Sequence, residues 1–249
     1  MSYRTLDSTK IIETLQRLHQ RVSERFPQSG LAAVCLELLE VSQGVQQRAL
    51  MIGRPQIWLR MLVYGVAIAG IVSLALVARV IRLRNGDTDV LSLFQGVEAA
   101  VNIVVLAGAA LAFLVSIETR IKRRRALRDL HELRSLAHVI DMHQLTKDPS
   151  SLLADVSQTQ SSPTRKMTPF ELTRYLDYCS EMLSHVGKLA AVYAQNLPDA
   201  VVIEAVNDIE SMTTDLSRKI WQKITILEAR AFPLEPPDSS RHQSAAARP

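Results

Sequence analysis

Two stretches decide how this 249-residue chain is read: Met61–Ala78, MLVYGVAIAGIVSLALVA, and Ala99–Ile117, AAVNIVVLAGAALAFLVSI. They are 18 and 19 residues long and carry no charge. At a rise of about 1.5 Å per residue, each is long enough as a helix to cross a hydrocarbon core of about 30 Å. The averages, 47% hydrophobic and 22% charged, are those of an ordinary soluble protein. The apolar residues are not spread evenly, however, and their concentration in two runs excludes a purely soluble chain. The reading is all-α: a transmembrane helical hairpin (residues 55–120, spans about 58–81 and 91–117) plus a cytoplasmic helical bundle.

Charge around the spans gives the expected orientation. Arg48, Arg54 and Arg60 precede the first span, and Arg120, Lys122, Arg123, Arg124, Arg125 and Arg128 follow the second. These nine lie on the side shared by both termini, against Arg79, Arg82 and Arg84 in the loop. The positive-inside rule then puts both termini in the cytoplasm of a multi-pass inner-membrane protein. No charged-then-apolar leader opens the chain, so the first span is expected to stay as an anchor. The run Lys122–Arg125 falls where anionic lipid headgroups lie, and membrane lipids are its expected partner. It lacks interleaved aromatics, which argues against nucleic acid.

Within the hairpin, Gly65, Ala69 and Ser73 stand four apart, as do Gly108, Ala112 and Ser116. Small residues at that spacing let two helices approach closely in lipid, so these six are the expected hairpin packing. Arg60 and Arg79 are 19 apart, Glu98 and Glu118 are 20 apart. In an antiparallel hairpin this levels Arg60 with Glu118 and Arg79 with Glu98, which predicts two ion pairs. Glu98 and Asn102, one turn apart, are the candidates to line a polar path between copies. Asn85-Gly86-Asp87 makes the turn. Asp87-Thr88-Asp89 matches a metal-binding Asp-x-Asp pattern, but so short a loop has no room for a sugar-nucleotide site.

Residues 1–54 read as a cytoplasmic helical pair. One stripe is Ile11, Leu15, Leu18, Val22 and Phe26, stopped by Pro27; the other is Leu31, Val34, Leu38, Val41 and Val45. The second span continues as a cytoplasmic helix over 121–148, with Leu127, Leu130, Leu133, Ala137 and Ile140 on one face. A linker rich in Ser, Thr, Gln and Pro covers 149–167. A helical hairpin follows over 168–231, opened by the capping box Thr168-Pro169-Phe170-Glu171 and broken at Leu197-Pro198-Asp199. Its stripes are Leu172, Leu176, Cys179, Leu183, Val186, Ala190, Tyr193 and then Val202, Val206, Ile209, Leu216, Ile220, Ile224, Leu227. Residues 232–249 read as a disordered tail.

Little of this sequence carries chemistry. Cys35 and Cys179 sit in apolar helices, which excludes a disulfide framework and a cysteine-based zinc site. There is no phosphate loop and no nucleophile elbow. His131, Arg134, His138 and Asp141 share a wedge of about 80° opposite the apolar face, with His143 off it. That wedge reads as a polar contact between helices, with Arg134 paired to Asp141, in preference to a metal site, because His131 and His138 are two turns apart. Trp221 reads as a packing residue.

Three segments together resemble a family of uncharacterised bacterial two-span membrane proteins. They are Arg25-Phe26-Pro27 with Ser29-Gly30-Leu31; His131-Glu132-Leu133-Arg134 through His138, Asp141, His143 and Lys147-Asp148-Pro149; and Leu216-Ser217-Arg218-Lys219-Ile220-Trp221-Gln222-Lys223. The resemblance implies a bacterial cytoplasmic membrane and no particular chemistry. By architecture alone the chain is also similar to two-span effectors of bacterial defence systems. Long apolar stripes without catalytic constellations point to an interaction protein, not an enzyme, with no cofactor and no metal. Its bundle is expected to self-associate into a homo-oligomer or to dock a cytoplasmic protein partner, and charges at Leu183 or Ile220 are expected to disperse that complex. The alternative is an oligomeric two-span ion channel or pore-forming effector.

Overall fold

A computed structural model describes residues 5–53, 57–83, 90–147 and 167–231. Among them are six helices and no strand: α1 (Ser8–Arg25), α2 (Gly30–Gly53), α3 (Ile57–Leu83), α4 (Val90–Leu145), α5 (Pro169–Asn196) and α6 (Ala200–Ala231). The expected turn at 85–87, the linker and the tail lie outside the described residues or almost wholly so. The chain divides into two compact units, one of residues 1–48 with 129–249 and the other Ala49–Arg128.

The first unit is built from helix ends the sequence specifies. Asp7 caps α1 by accepting from the Thr9 N–H at 2.9 Å. Ile11, Leu15, Leu18 and Val22 are then buried one turn apart. Phe26 ends α1 and stacks edge-on against Tyr175 and Tyr178 of α5, with ring centroids 5.4 and 6.2 Å away. Gln28 takes the left-handed φ of 58° that turns the chain into α2, a conformation costing a non-glycine residue roughly 1–2 kcal/mol. At the start of α2 a Cβ on Gly30 would stand 2.5 Å from His143 Cε1, so the imidazole packs directly on the α2 backbone and would have to shift for any side chain there.

Helix α5 opens on the full capping box, Thr168 and Glu171 each accepting from the other's backbone N–H. All seven residues of its predicted stripe are buried, and so are Tyr175, Tyr178, Met182, Leu189 and Val192. Half of its 28 residues are buried because α5 is covered from more than one side. Its contacts run to α1, to α6 and, through Tyr193, to α4. Asp199 caps α6 through the N–H groups of Val201 and Val202. The predicted α6 stripe from Val202 to Leu227 is buried throughout, with Thr213 filling its one gap. There Gly187 of α5 lets Thr213 approach, since a Cβ would stand 3.2 Å from its Oγ1. Both thiols are buried, and burial pushes each up to about 12, which leaves them protonated and inert at neutral pH.

The second unit is unlike this. α3 and the first part of α4 are long and apolar enough to cross a membrane, with mean hydropathy 2.4 and 2.5, and none of either apolar window is buried. Ile68, Ile71, Val105, Leu106 and Phe113 all point outward. The partly covered positions of α3 are Val63, Val66, Ala67, Gly70, Ser73, Leu74 and Val77. On α4 they include Gly96, Ala100, Ile103, Ala107, Ala110 and Leu114. Each set alternates steps of three and four, the seam of two helices crossing at a shallow angle.

Candidate functional site

The close approach of α3 and α4 falls at Gly70, where a Cβ would stand 3.4 Å from the Ala107 Cβ. This corrects the expected packing stripe. Gly65, Ala69, Gly108, Ala112 and Ser116 are exposed, and nothing lies within 4 Å of a Cβ at Gly65 or Gly108. Of the six predicted residues, only Ser73 lies on the seam. The reason is geometric. Each four-residue step carries a position about 40° round the helix axis. A row spaced strictly by four therefore leaves the interface within three steps, whereas alternating threes and fours stay on it.

Nine residues beyond Gly70 and nine before Ala107 stand Arg79 and Glu98, so these two are level. Arg60 is likewise one residue from level with Glu118. Arg79 and Glu98 nevertheless form no ion pair among the described residues, and Glu118 bonds along its own helix to Lys122 at 2.8 Å. Both expected cross-helix pairs are thereby replaced by exposed side chains or a local i,i+4 bond, since a long side chain at a helix surface finds its own next turn first. Glu98 and Asn102 are both exposed, off the seam. In the basic run Lys122 is taken up by Glu118, Arg123 is partly covered, and Arg124 and Arg125 are exposed.

Within the wedge on α4, His131, Arg134 and His138 are exposed. Arg134 does not pair with Asp141; Asp141 accepts from the Gln144 amide at 2.6 Å. The histidine that packs is His143, against Gly30, where burial and then Lys147 lower its pKa. Among the described residues no group of three potential ligands could hold a metal ion.

The polar centre of the first unit lies elsewhere on α4. Asp129 is 2% exposed and stands in the apolar row of Leu130, Leu133, Leu136, Ala137 and Ile140. Its carboxylate accepts from the Tyr193 hydroxyl of α5 at 2.8 Å and faces Arg48 Nε of α2 at 3.4 Å. The Arg48 fork also reaches Glu132 at 3.1 Å. Burial opposes the Arg48 charge, but Asp129, Tyr193 and Glu132 outweigh it and hold the guanidinium above its ordinary pKa. Burial, reinforced by the Asp129 charge, likewise keeps Tyr193 protonated. Three helices thus meet on one buried carboxylate. A signal was available in the sequence: a charged residue in step with an apolar stripe needs a partner inside. A second cross-helix bond closes the end of α4, where Lys223 of α6 donates to the Gln144 carbonyl at 3.0 Å and to its side chain at 2.7 Å. No family model, curated protein or solved structure matches the chain.

Proposed function

We propose that the chain is an integral membrane protein, anchored by a hairpin of α3 and the first part of α4, whose helical bundle in the cytoplasm self-associates or docks a partner. The observation that carries this is that no residue of either apolar window is buried. A core helix of a soluble protein would hide such a window. Here apolar side chains surround two adjacent helices, a surface far beyond the few hundred Å² that a soluble monomer exposes. α3 alone, at 27 residues, is roughly 40 Å long, enough to cross with some tilt. Arg124 and Arg125 would then face anionic headgroups, with both termini on the same, cytoplasmic side.

The test is extraction of membranes with alkaline carbonate, followed by labelling of single engineered cysteines. The native thiols are buried and silent. The protein is expected to stay with the membrane, with Thr88→Cys reacting from outside the cell and Ser217→Cys only after lysis. Release into the aqueous phase sinks the anchor, and the reverse labelling sinks the orientation.

One observation favours a second reading, an oligomeric channel. Glu98 and Asn102 are exposed on α4 away from α3, and polar groups facing lipid are costly unless another copy covers them. Two spans cannot enclose a water path, so this reading needs a ring of four or more. Light scattering of the purified complex, corrected for detergent, tests it: a monomer or dimer ends the channel reading. In a larger ring, Glu98→Gln should change ion flux without changing the mass.

A further inference from the structure

A cleft of about 400 Å³ opens between α5 and α6, lined by Asp177, Ser180, Glu181, Ser184, His185 and Trp221. Asp177, Glu181 and His185 are successive i,i+4 positions, so one face of α5 presents two carboxylates and an imidazole about 6 Å apart along its axis.

The carboxylates are held in place from behind. Arg21 of α1 grips Glu181 at 2.6 and 3.4 Å, and Arg174 grips Asp177 at 2.9 Å. Both guanidinium groups rest on the Tyr178 ring, 5.8 and 5.1 Å from its centroid. Neither arginine lines the cleft. Lys188 is engaged at the rim with the hydroxyl and carbonyl of Ser184. The carboxylates that line the cleft are Asp177 and Glu181, while Arg21, Arg174 and Lys188 lie around it.

His185 is the second, independent feature. The residue is 7% exposed, and its Nδ1 is sealed with no hydrogen-bond partner among the described residues. A sealed nitrogen without an acceptor keeps its lone pair, so the proton sits on Nε2, which is not sealed. Burial, helped by Lys188 and Arg21 and opposed by Glu181, lowers its pKa to about 4, so the ring is uncharged at neutral pH and does not repel a cation. Across the cleft Trp221 lines the opposite side and is 55% exposed, contrary to its expected packing role.

We propose that this cleft binds a small free amine that also carries an acceptor oxygen. Its ammonium would lie between the Asp177 and Glu181 carboxylates and the Trp221 ring, and its oxygen would accept from His185 Nε2. Each group then meets its complement: cation to carboxylate and π face, acceptor to imidazole N–H. The volume lies near the lower end for ligand pockets, which favours a metabolite-sized molecule over a peptide. This site is independent of how the chain sits in a membrane.

The test is calorimetric titration of the purified full-length chain with glycinamide, which has both groups. Acetamide, without the cation, and ethylammonium, without the oxygen, serve as comparisons. A parallel titration follows Trp221 fluorescence in a Trp58→Phe background. Glycinamide should bind saturably and more tightly than either comparison, with a change in indole emission. Asp177→Asn and Trp221→Leu should each weaken it about ten-fold while leaving the thermal melt in place. The proposal is overturned by the absence of saturable heat, by acetamide binding as well as glycinamide, or by unchanged affinity in both variants.

Discussion

The seam of α3 with α4 and the apolar stripe of α6 use the same alternation of threes and fours, yet they end in opposite states. In α6 every stripe residue from Val202 to Leu227 is buried. In α3 the corresponding positions, Val63, Val66, Gly70, Ser73 and Val77, are only half covered, as are Ala67 and Leu74, and no residue of the apolar window is buried. Periodicity locates a seam but does not close a core. Each helix of the first unit has polar residues on its remaining face, and neighbours cover its apolar stripe. The α3–α4 pair has a single seam and apolar residues on all sides, so its other wall has to come from its surroundings.

The sharpest way to break this comparison is to place the same charge in both units. Leu183→Asp puts a carboxylate at a fully buried position of α5 and is expected to cost about 4 kcal/mol or more, enough to abolish a cooperative thermal melt. Leu183 and Ile220 are both buried within the single chain, so charges there report on folding and not, as expected from sequence, on assembly. Leu106→Asp, at a position 70% exposed, should leave that melt unchanged and instead reduce recovery in the carbonate-resistant membrane fraction. If both variants lose the melt, the two units are not distinct in the way described.

Next in size is the Asp129 node. Arg48→Met removes the guanidinium that faces the buried Asp129 carboxylate and is expected to destabilise by about 3 kcal/mol in denaturant unfolding. Adding Asp129→Leu should recover most of that loss, because the penalty lies in a buried carboxylate that has lost its facing cation. Without recovery, Arg48 acts through packing. Smaller again is the seam itself. Gly70→Leu should cost about 2 kcal/mol by forcing α3 from Ala107, seen as lower thermal stability of the purified hairpin in detergent. Gly65→Leu should be silent there, since a Cβ at Gly65 meets nothing within 4 Å among the described residues.

The smallest expected effect is a pH dependence confined to the first unit. His185 has a folded pKa near 4 against an ordinary 6.5, so between those values the unfolded chain binds the extra proton. Stability is complete above pH 6.5 and falls as pH drops, by about 1 kcal/mol over the first unit below it. Burial sets this shift, with Lys188 and Arg21 adding to it and Glu181 opposing it. His185→Gln should flatten that part of the curve in urea titrations at successive pH values; an unchanged slope assigns it to other groups.

Much of this was legible beforehand. The stripes of α1 and α6, the capping box at Thr168, the break at Pro198 and the unbroken run of α4 to Leu145 all follow from period and end chemistry, which are local. What escaped depends on neighbours distant in sequence. Asp129 follows Arg128 in sequence as one charge among many, and only Tyr193 and Arg48, 64 and 81 positions away, mark it as buried. Gly65 and Gly70 carry the same local information, and only the crossing of two helices distinguishes them. Val34 was assigned to the buried stripe of α2, whereas Cys35, one position on, is the fully buried residue. The stripe of α5 was correct but incomplete, because a helix covered from several sides has no single face for a pattern to mark.

The first unit is interrupted in sequence: its opening residues 1–48 find their partners only after the chain returns at Asp129. Arg21 meets Glu181 across 160 positions. At a synthesis rate of about 5–20 residues per second, roughly 10–30 seconds pass between the emergence of α1 and that of the helix it packs against. Throughout that interval Ile11, Leu15, Leu18 and Val22 are translated but have no wall to bury against. The intervening apolar helices are also made within it. The nascent chain thus carries an apolar stripe whose α5 wall is still missing, and anything that slows the ribosome before Glu181 lengthens that exposure.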